Sequence, residues 1–304
     1  MRILLVGQAA FAEEVLCGLE AVGDTIAAVV CPPDAGAKPD PVKAAAEARG
    51  IPVHQLRSLK TPAAATAFAA AAADLGLLAY VTQIVPEALL RVPRLTSLCF
   101  HPSLLPRYRG GSAIAWQLIR GETRSGVTVF WPDAGIDTGP ILLQREVAVD
   151  PDATAGTLYY KTLFPLGVQA VLDAVALVRA GRAPRVPQDA ARATHDPLCR
   201  DEHAGIDWTR PVDEVHNLIR GCDPQPGAHT AWRGARLRLY EPRRVPAGAG
   251  AVPGTVLGVG PEGVTVAAGG GAVRCTRARD GATKAAAAEV AQSIGLEAGS
   301  RLGA

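Results

Sequence analysis

Paired cysteines are the first thing this chain lacks. Its six cysteines, at 17, 31, 99, 199, 222 and 275, are scattered and form no C-x-x-C pair. In a chain of 304 residues that pattern points away from a disulfide framework and from a zinc site, and predicts free thiols in a reducing cytoplasm. An excess of one charge is missing too. Lys plus Arg number 31 against 29 Asp plus Glu, a formal charge of +2, which gives no strong grip on nucleic acid or an anionic membrane. No apolar run approaches the ~20 residues of a membrane span. The opening "MRILLVGQAAFAEEVL" fails as a secretory signal, because its apolar run is one strand long and Glu13 and Glu14 follow it. Gly7 ends that first strand without a G-x-G-x-x-G pattern and no P-loop occurs, so no dinucleotide is expected.

What is present is the balance of a globular protein, 48% hydrophobic and 20% charged, with length enough for two ordinary domains. Short apolar runs such as "RILLV", "IAAVV", "LGLLAYV", "TSLCF" and "GVTVFW" alternate with helical stretches. That order predicts an α/β fold, a Rossmann-like and mainly parallel sheet covered on both faces. The stretch 155–181 reads as one long amphipathic helix closing the layer. Residues 183–205 are proline-rich and aperiodic and read as a linker. Beyond them, glycine-punctuated runs ("ARLRLY", "GTVLGV", "GVTVAA", "AVRCT") predict a smaller β-rich, barrel-like domain of the OB kind, followed by a last helix and a frayed tail. The expected division is 1–188, a linker 189–205, and 206–304.

Two stretches carry candidate chemistry. "HPSLLPRYRGG" (101–111) lifts His101 off the end of "TSLCF" and stiffens the residues after it with prolines. Ligands of open α/β sheets bind at the carboxyl ends of strands, and alternation puts Cys99 and His101 on one face. The second stretch, "PDAGIDTGPILLQ" (132–144), follows another apolar strand and so reaches the same edge. Its Asp133 and Asp137 are both carboxylates able to pair with His101, or ordinary turn residues.

At this separation, His-x-Ser-Leu-Leu-Pro and Asp-x-Gly-x-Asp-Thr-Gly resemble the formyltransferases that use formyltetrahydrofolate. "ILLVGQAAFAEEVL" and "IDWTRPVDEVHNLIRGCDPQPGAHT" are most similar to the hydrolase domain of formyltetrahydrofolate dehydrogenase, over about residues 1–240. The resemblance implies a formyl donor, 10-formyltetrahydrofolate, and a catalytic pair of His101 and Asp137. It implies pterin contacts from residues 80–86, from the segment after His101 and from 132–137, with Gln83, Leu104, Arg109, Gly110, Asp133 and Ala134 as candidates. Arg107 and Arg109 either meet the carboxylates of the folate tail or stay solvated. No metal is implied.

Cys99 is a departure. Most of the family places an asparagine there, whose amide donates to the oxyanion, and a thiol is a weak donor. The dehydrogenase's hydrolase domain also lacks that asparagine and has an apolar residue instead. The expected acceptor is a small amine, or water. Transfer to tRNA is the alternative, disfavoured because 31–50 carries only Lys38, Lys43 and Arg49, and residues 205–304 hold twelve Arg/Lys against nine Asp/Glu. A folate-binding regulator that has lost catalysis is the alternative from another class.

Overall fold

A computed structural model describes residues 1–248, 250–281 and 283–303. Strand β1 (Arg2–Gly7) is followed by α1 (Ala9–Ala21), β2 (Thr25–Cys31), α2 (Pro41–Glu47), β3 (Val53–Gln55), α3 (Pro62–Ala70), β4 (Leu75–Ala79), α4 (Glu87–Leu90) and β5 (Ser97–His101). Then come α5 (Ala113–Ile119), β6 (Arg124–Phe130), β7 (Ile141–Ala148), α6 (Ala155–Leu158) and α7 (Phe164–Arg179). The seven strands form one sheet in the order β3-β2-β1-β4-β5-β6-β7. Pairing is parallel from β3 through β5 and antiparallel between β5 and β6. The alternating apolar strands thus form the mainly parallel sheet expected of them.

Strand β1 is apolar throughout because both its faces are covered, and Ile3, Leu4 and Leu5 are fully buried. On α1 the buried residues Phe11, Ala12, Val15, Leu16 and Leu19 recur at helical spacing. Helix α7 presents Gly167, Ala170, Val171, Ala174 and Val175 to the interior. The two helices touch so closely that a Cβ on Gly18 would lie 2.8 Å from Leu172 Cδ1.

The expected single helix over 155–181 is broken. A π-helical turn, Tyr159–Leu163, separates α6 from α7. Pro165 stands at the start of α7, where its missing N–H takes a ladder bond out of the run. Contrary to the expectation from apolar runs, 155–179 is long and apolar enough by length and composition to cross a membrane. In the fold, α7 buries one face, that of Gly167, Ala170, Val171, Ala174 and Val175.

The chain divides into two units that do not follow one cut in the sequence. The first holds 1–111, 126–147 and 162–195; the second holds 112–125, 148–161 and 196–304. The second unit adds α8 (Val212–Gly221), β8 (Ala228–Trp232), β9 (Ala235–Val245), β10 (Val256–Gly260), β11 (Gly263–Ala268), β12 (Gly271–Arg279), β13 (Ala285–Ala286) and α9 (Ala287–Ser293). Its antiparallel sheet runs β10-β11-β12-β9-β8, with β13 paired to β12. Trp208, Ile219, Leu239, Val266 and Val273 lie in its core.

The tail does not fray before the last described residue. Gly299 N–H donates to Val256 O at 2.9 Å and Val256 N–H to Ser300 O at 2.9 Å, while Gly303 N–H reaches Ala231 O at 3.0 Å. Residues 299–303 thereby bond to both edge strands, β10 and β8, which leaves those edges covered.

Candidate active site

His101 is the last residue of β5, paired with Thr128 across the antiparallel step. One residue earlier, Phe100 stacks on Phe11 with ring centroids 4.4 Å apart and anchors the strand end in the core. The imidazole is nearly buried, 5% exposed. Its Nε2 lies 2.7 Å from the Tyr108 carbonyl oxygen. A carbonyl only accepts, so Nε2 carries a proton and Nδ1 is left for other chemistry. Nδ1 faces Asp137 Oδ2 at 3.4 Å.

The loop after His101 is stiff for reasons beyond its prolines. Ser103 Oγ donates to Arg107 O at 2.7 Å, Thr128 Oγ1 to Ser103 O at 2.6 Å, and Gln144 Nε2 to Leu105 O at 2.9 Å. Tyr108 adopts φ +61, which turns its carbonyl onto the imidazole.

In the second loop the two aspartates separate. Asp133 closes its own turn: Oδ1 accepts from Gly135 N–H at 3.0 Å and from the Thr138 hydroxyl. Asp137, at φ +55, points its carboxylate the other way, and Oδ2 accepts from Gly110 N–H at 2.8 Å. Gly139 could be no other residue without a shift, since a Cβ there would lie 1.8 Å from Trp131 O. Asp137, not Asp133, is the partner of His101.

Of the remaining candidates, Gly110 joins this group through its N–H. Arg109 is committed within the protein: its Nη2 and Nε donate to Gln188 Oε1 at 2.7 and 3.2 Å. Leu104 packs over Gly126, and Ala134 lies exposed on the second loop. Gln83 stands elsewhere. Its amide donates to Leu56 O and accepts from Leu59 N–H, and it lines a cavity with Gly7, Cys31 and Tyr80 beyond the ends of β1, β2 and β4. That is where the strand order reverses between β1 and β4, the usual crevice of such sheets.

Cys99 packs against the apolar cluster of Leu78, Leu89 and Leu90. Burial, and then the charge of Asp137, push its thiol well above the ordinary range, so a nucleophilic thiolate is not formed there. Among the described residues, no group of three or more His, Cys, Asp or Glu side chains is placed to hold a metal.

Sequence reasoning missed Gln188 and Thr194, which lie in the stretch read as a linker. Gln188 Nε2 donates to Asp137 O at 2.8 Å and Gly139 O at 2.7 Å. Thr194 Oγ1 accepts Tyr108 N–H at 2.7 Å, and Thr194 O accepts Arg109 N–H at 3.0 Å. The segment is aperiodic because side-chain and isolated backbone bonds hold it, with no ladder. Its only sequence signal was a run of polar residues between prolines.

The comparisons with known proteins agree with this architecture. Residues 1–175 match the family described as Formyl transferase, and 199–294 match its C-terminal domain. The chain is 41% identical over 245 residues to cytosolic 10-formyltetrahydrofolate dehydrogenase of Mus musculus, covering 79% of this chain and 27% of the relative. It thus spans about a quarter of the dehydrogenases it matches. It is 37% identical over 310 residues to the methionyl-tRNA formyltransferase of Geobacter sulfurreducens, covering 100% of this chain and 97% of that one. HypX from Aquifex aeolicus in complex with tetrahydrofolic acid superposes with a TM-score of 0.72 at 21% identity, covering 97% of this chain and 47% of HypX, a likeness of fold. With matches over both of its parts, the chain belongs to the formyl transferase family.

Proposed function

We propose that the chain moves the formyl group of 10-formyltetrahydrofolate to a small amine or to water, with His101 and Asp137 acting as one unit. The observation that carries this is their pairing at 3.4 Å at the carboxyl end of β5. The nucleophile attacks the formyl carbon, and the carbonyl electron pair moves onto oxygen. Asp137 takes the nucleophile's proton; its Oδ1 accepts no hydrogen bond among the described residues, whereas Oδ2 is held by Gly110. Help of this kind is typically worth ~10²–10⁴-fold. With Nε2–H held by Tyr108, the nitrogen that meets the oxyanion is Nδ1, donating as imidazolium. Collapse then expels the folate nitrogen, which leaves with the proton that Asp137 had taken from the nucleophile. Cys99 contributes packing and a weak donor, and no amide.

One feature bears on the acceptor. Helix N-termini of α/β folds are ready-made phosphate sites, but here Asp40 fills that of α1: both its carboxylate oxygens lie 2.9 Å from Ala9 N. A phosphate would meet that carboxylate, which favours an unphosphorylated acceptor.

A second reading, transfer to methionyl-tRNA, is favoured by the end-to-end match to a methionyl-tRNA formyltransferase. The deciding experiment is incubation with 10-formyltetrahydrofolate and a panel of amines that includes methionyl-tRNA, with mass spectrometry for one added formyl group and an assay for free formate. A formylated small amine or released formate supports the first reading. Formyl found only on methionyl-tRNA, with salt-sensitive binding, supports the second. Tight folate binding without turnover overturns both and leaves a regulatory protein.

A further inference from the structure

We infer that Gln188 is a positioning residue for this formyl transfer, setting the bearing of Asp137 on His101; the inference rests on the reading above that those two residues act together. The Gln188 amide uses its whole hydrogen-bonding capacity on the two loops of the site. Both Nε2 protons go to backbone carbonyls, those of Asp137 at 2.8 Å and Gly139 at 2.7 Å. Oε1 accepts twice from the Arg109 guanidinium, at 2.7 and 3.2 Å. Only a primary amide can donate twice at one end and accept twice at the other.

Both ends bear on the same carboxylate. The Nε2 end fixes the backbone of Asp137, which sits at φ +55. A side-chain-bearing residue in that region is strained and persists where its surroundings over-determine it. The Oε1 end holds Arg109, whose chain neighbour Gly110 donates to Asp137 Oδ2 at 2.8 Å. Gln188 is itself fixed: two residues before it, Val186 exchanges both backbone hydrogen bonds with Ile141, at 2.8 and 2.9 Å. The same strap reaches the other member of the pair, since Thr194 holds the Tyr108 N–H and the Tyr108 carbonyl holds His101 Nε2. No apolar burial explains a side chain placed this way.

The test is Gln188→Glu in the full chain. Glutamate has nearly the same shape and still accepts from Arg109, with charge assistance, but cannot donate to the two carbonyls. Misplacement of a catalytic group by about 1 Å costs about 10²-fold. The expected result is therefore a kcat about 10²-fold lower, with an unchanged KM for 10-formyltetrahydrofolate and a chain that still folds by circular dichroism, its melting temperature lowered by the two lost hydrogen bonds. In an Asp137→Asn background, Gln188→Glu should add nothing, because it acts through Asp137. If the charge prevents folding, Gln188→Met, which removes both polar ends at similar length, is read the same way. Wild-type kcat in Gln188→Glu beside an inactive Asp137→Asn overturns the inference and leaves the proposed function standing. A loss that multiplies with that of Asp137→Asn also overturns it, showing a general structural effect. Full turnover in Asp137→Asn sinks the proposed function, and this inference with it.

Discussion

Replacing Asp137 by asparagine removes one charge and keeps the shape, so its consequences for fold and for chemistry should part. In the structure Oδ2 makes two contacts, with Gly110 N at 2.8 Å and His101 Nδ1 at 3.4 Å. The asparagine oxygen can keep the first. What is lost there is charge assistance, worth about 1 kcal/mol. On a chain of this size that is a fall in melting temperature of about 1–2 °C. The chemistry suffers far more, because an amide neither takes a proton from the nucleophile nor sets an anion beside Nδ1, and the expected loss is ~10²–10⁴ in kcat. The assay follows conversion of 10-formyltetrahydrofolate to tetrahydrofolate by absorbance, alongside thermal melting by circular dichroism. A mutant that turns over at the wild-type rate would refute the argument. So would one whose lost rate is matched by a collapse in melting temperature.

Three further outcomes follow from particular contacts. Cys99→Asn restores an amide two residues before His101 and should raise formyl transfer while destabilising the chain by about 1–3 kcal/mol, since the site packs on apolar side chains; unchanged stability with a large loss of rate would instead assign the thiol a chemical role. His216 is buried, with Asp152 Oδ1 3.5 Å from its Nε2, and burial, then the charges of Arg220 and Arg244, lower its pKa from 6.5 to about 4. The unfolded chain then binds the extra proton first, so the stability of the second unit should be full above pH 6.5 and decline as the pH falls toward 4; denaturant melts across that window should show the decline, and His216→Leu should remove it. Limited proteolysis should spare residues 184–196, because Pro184 O accepts from Trp131 Nε1 at 2.8 Å and the Asp196 carboxylate pairs with Arg120; early cleavage there, mapped by mass spectrometry, would mean that the strap is not held.

The parts of this protein that its sequence determined alone are those whose cause is local. Continuous apolar runs made β1, β4 and β5 strands because a sheet covered on both faces asks nothing else of them. His101 was legible because it directly follows such a run and opens a proline-stiffened loop. The break at Tyr159–Leu163 was not legible, because apolar periodicity continues through a π turn. Nor could sequence choose between Asp133 and Asp137, since both are good turn formers; the choice came when Thr138 and Gly135 held Asp133 on its own exposed turn and Gly110 met Asp137. The strap stayed hidden for the same reason. Gln188 lies 51 residues from the carbonyl it holds at Asp137, and Thr194 lies 86 from the amide it holds at Tyr108. A side chain bonded to distant backbone imposes no periodicity on its neighbours, so only the tertiary structure could bring the two ends together.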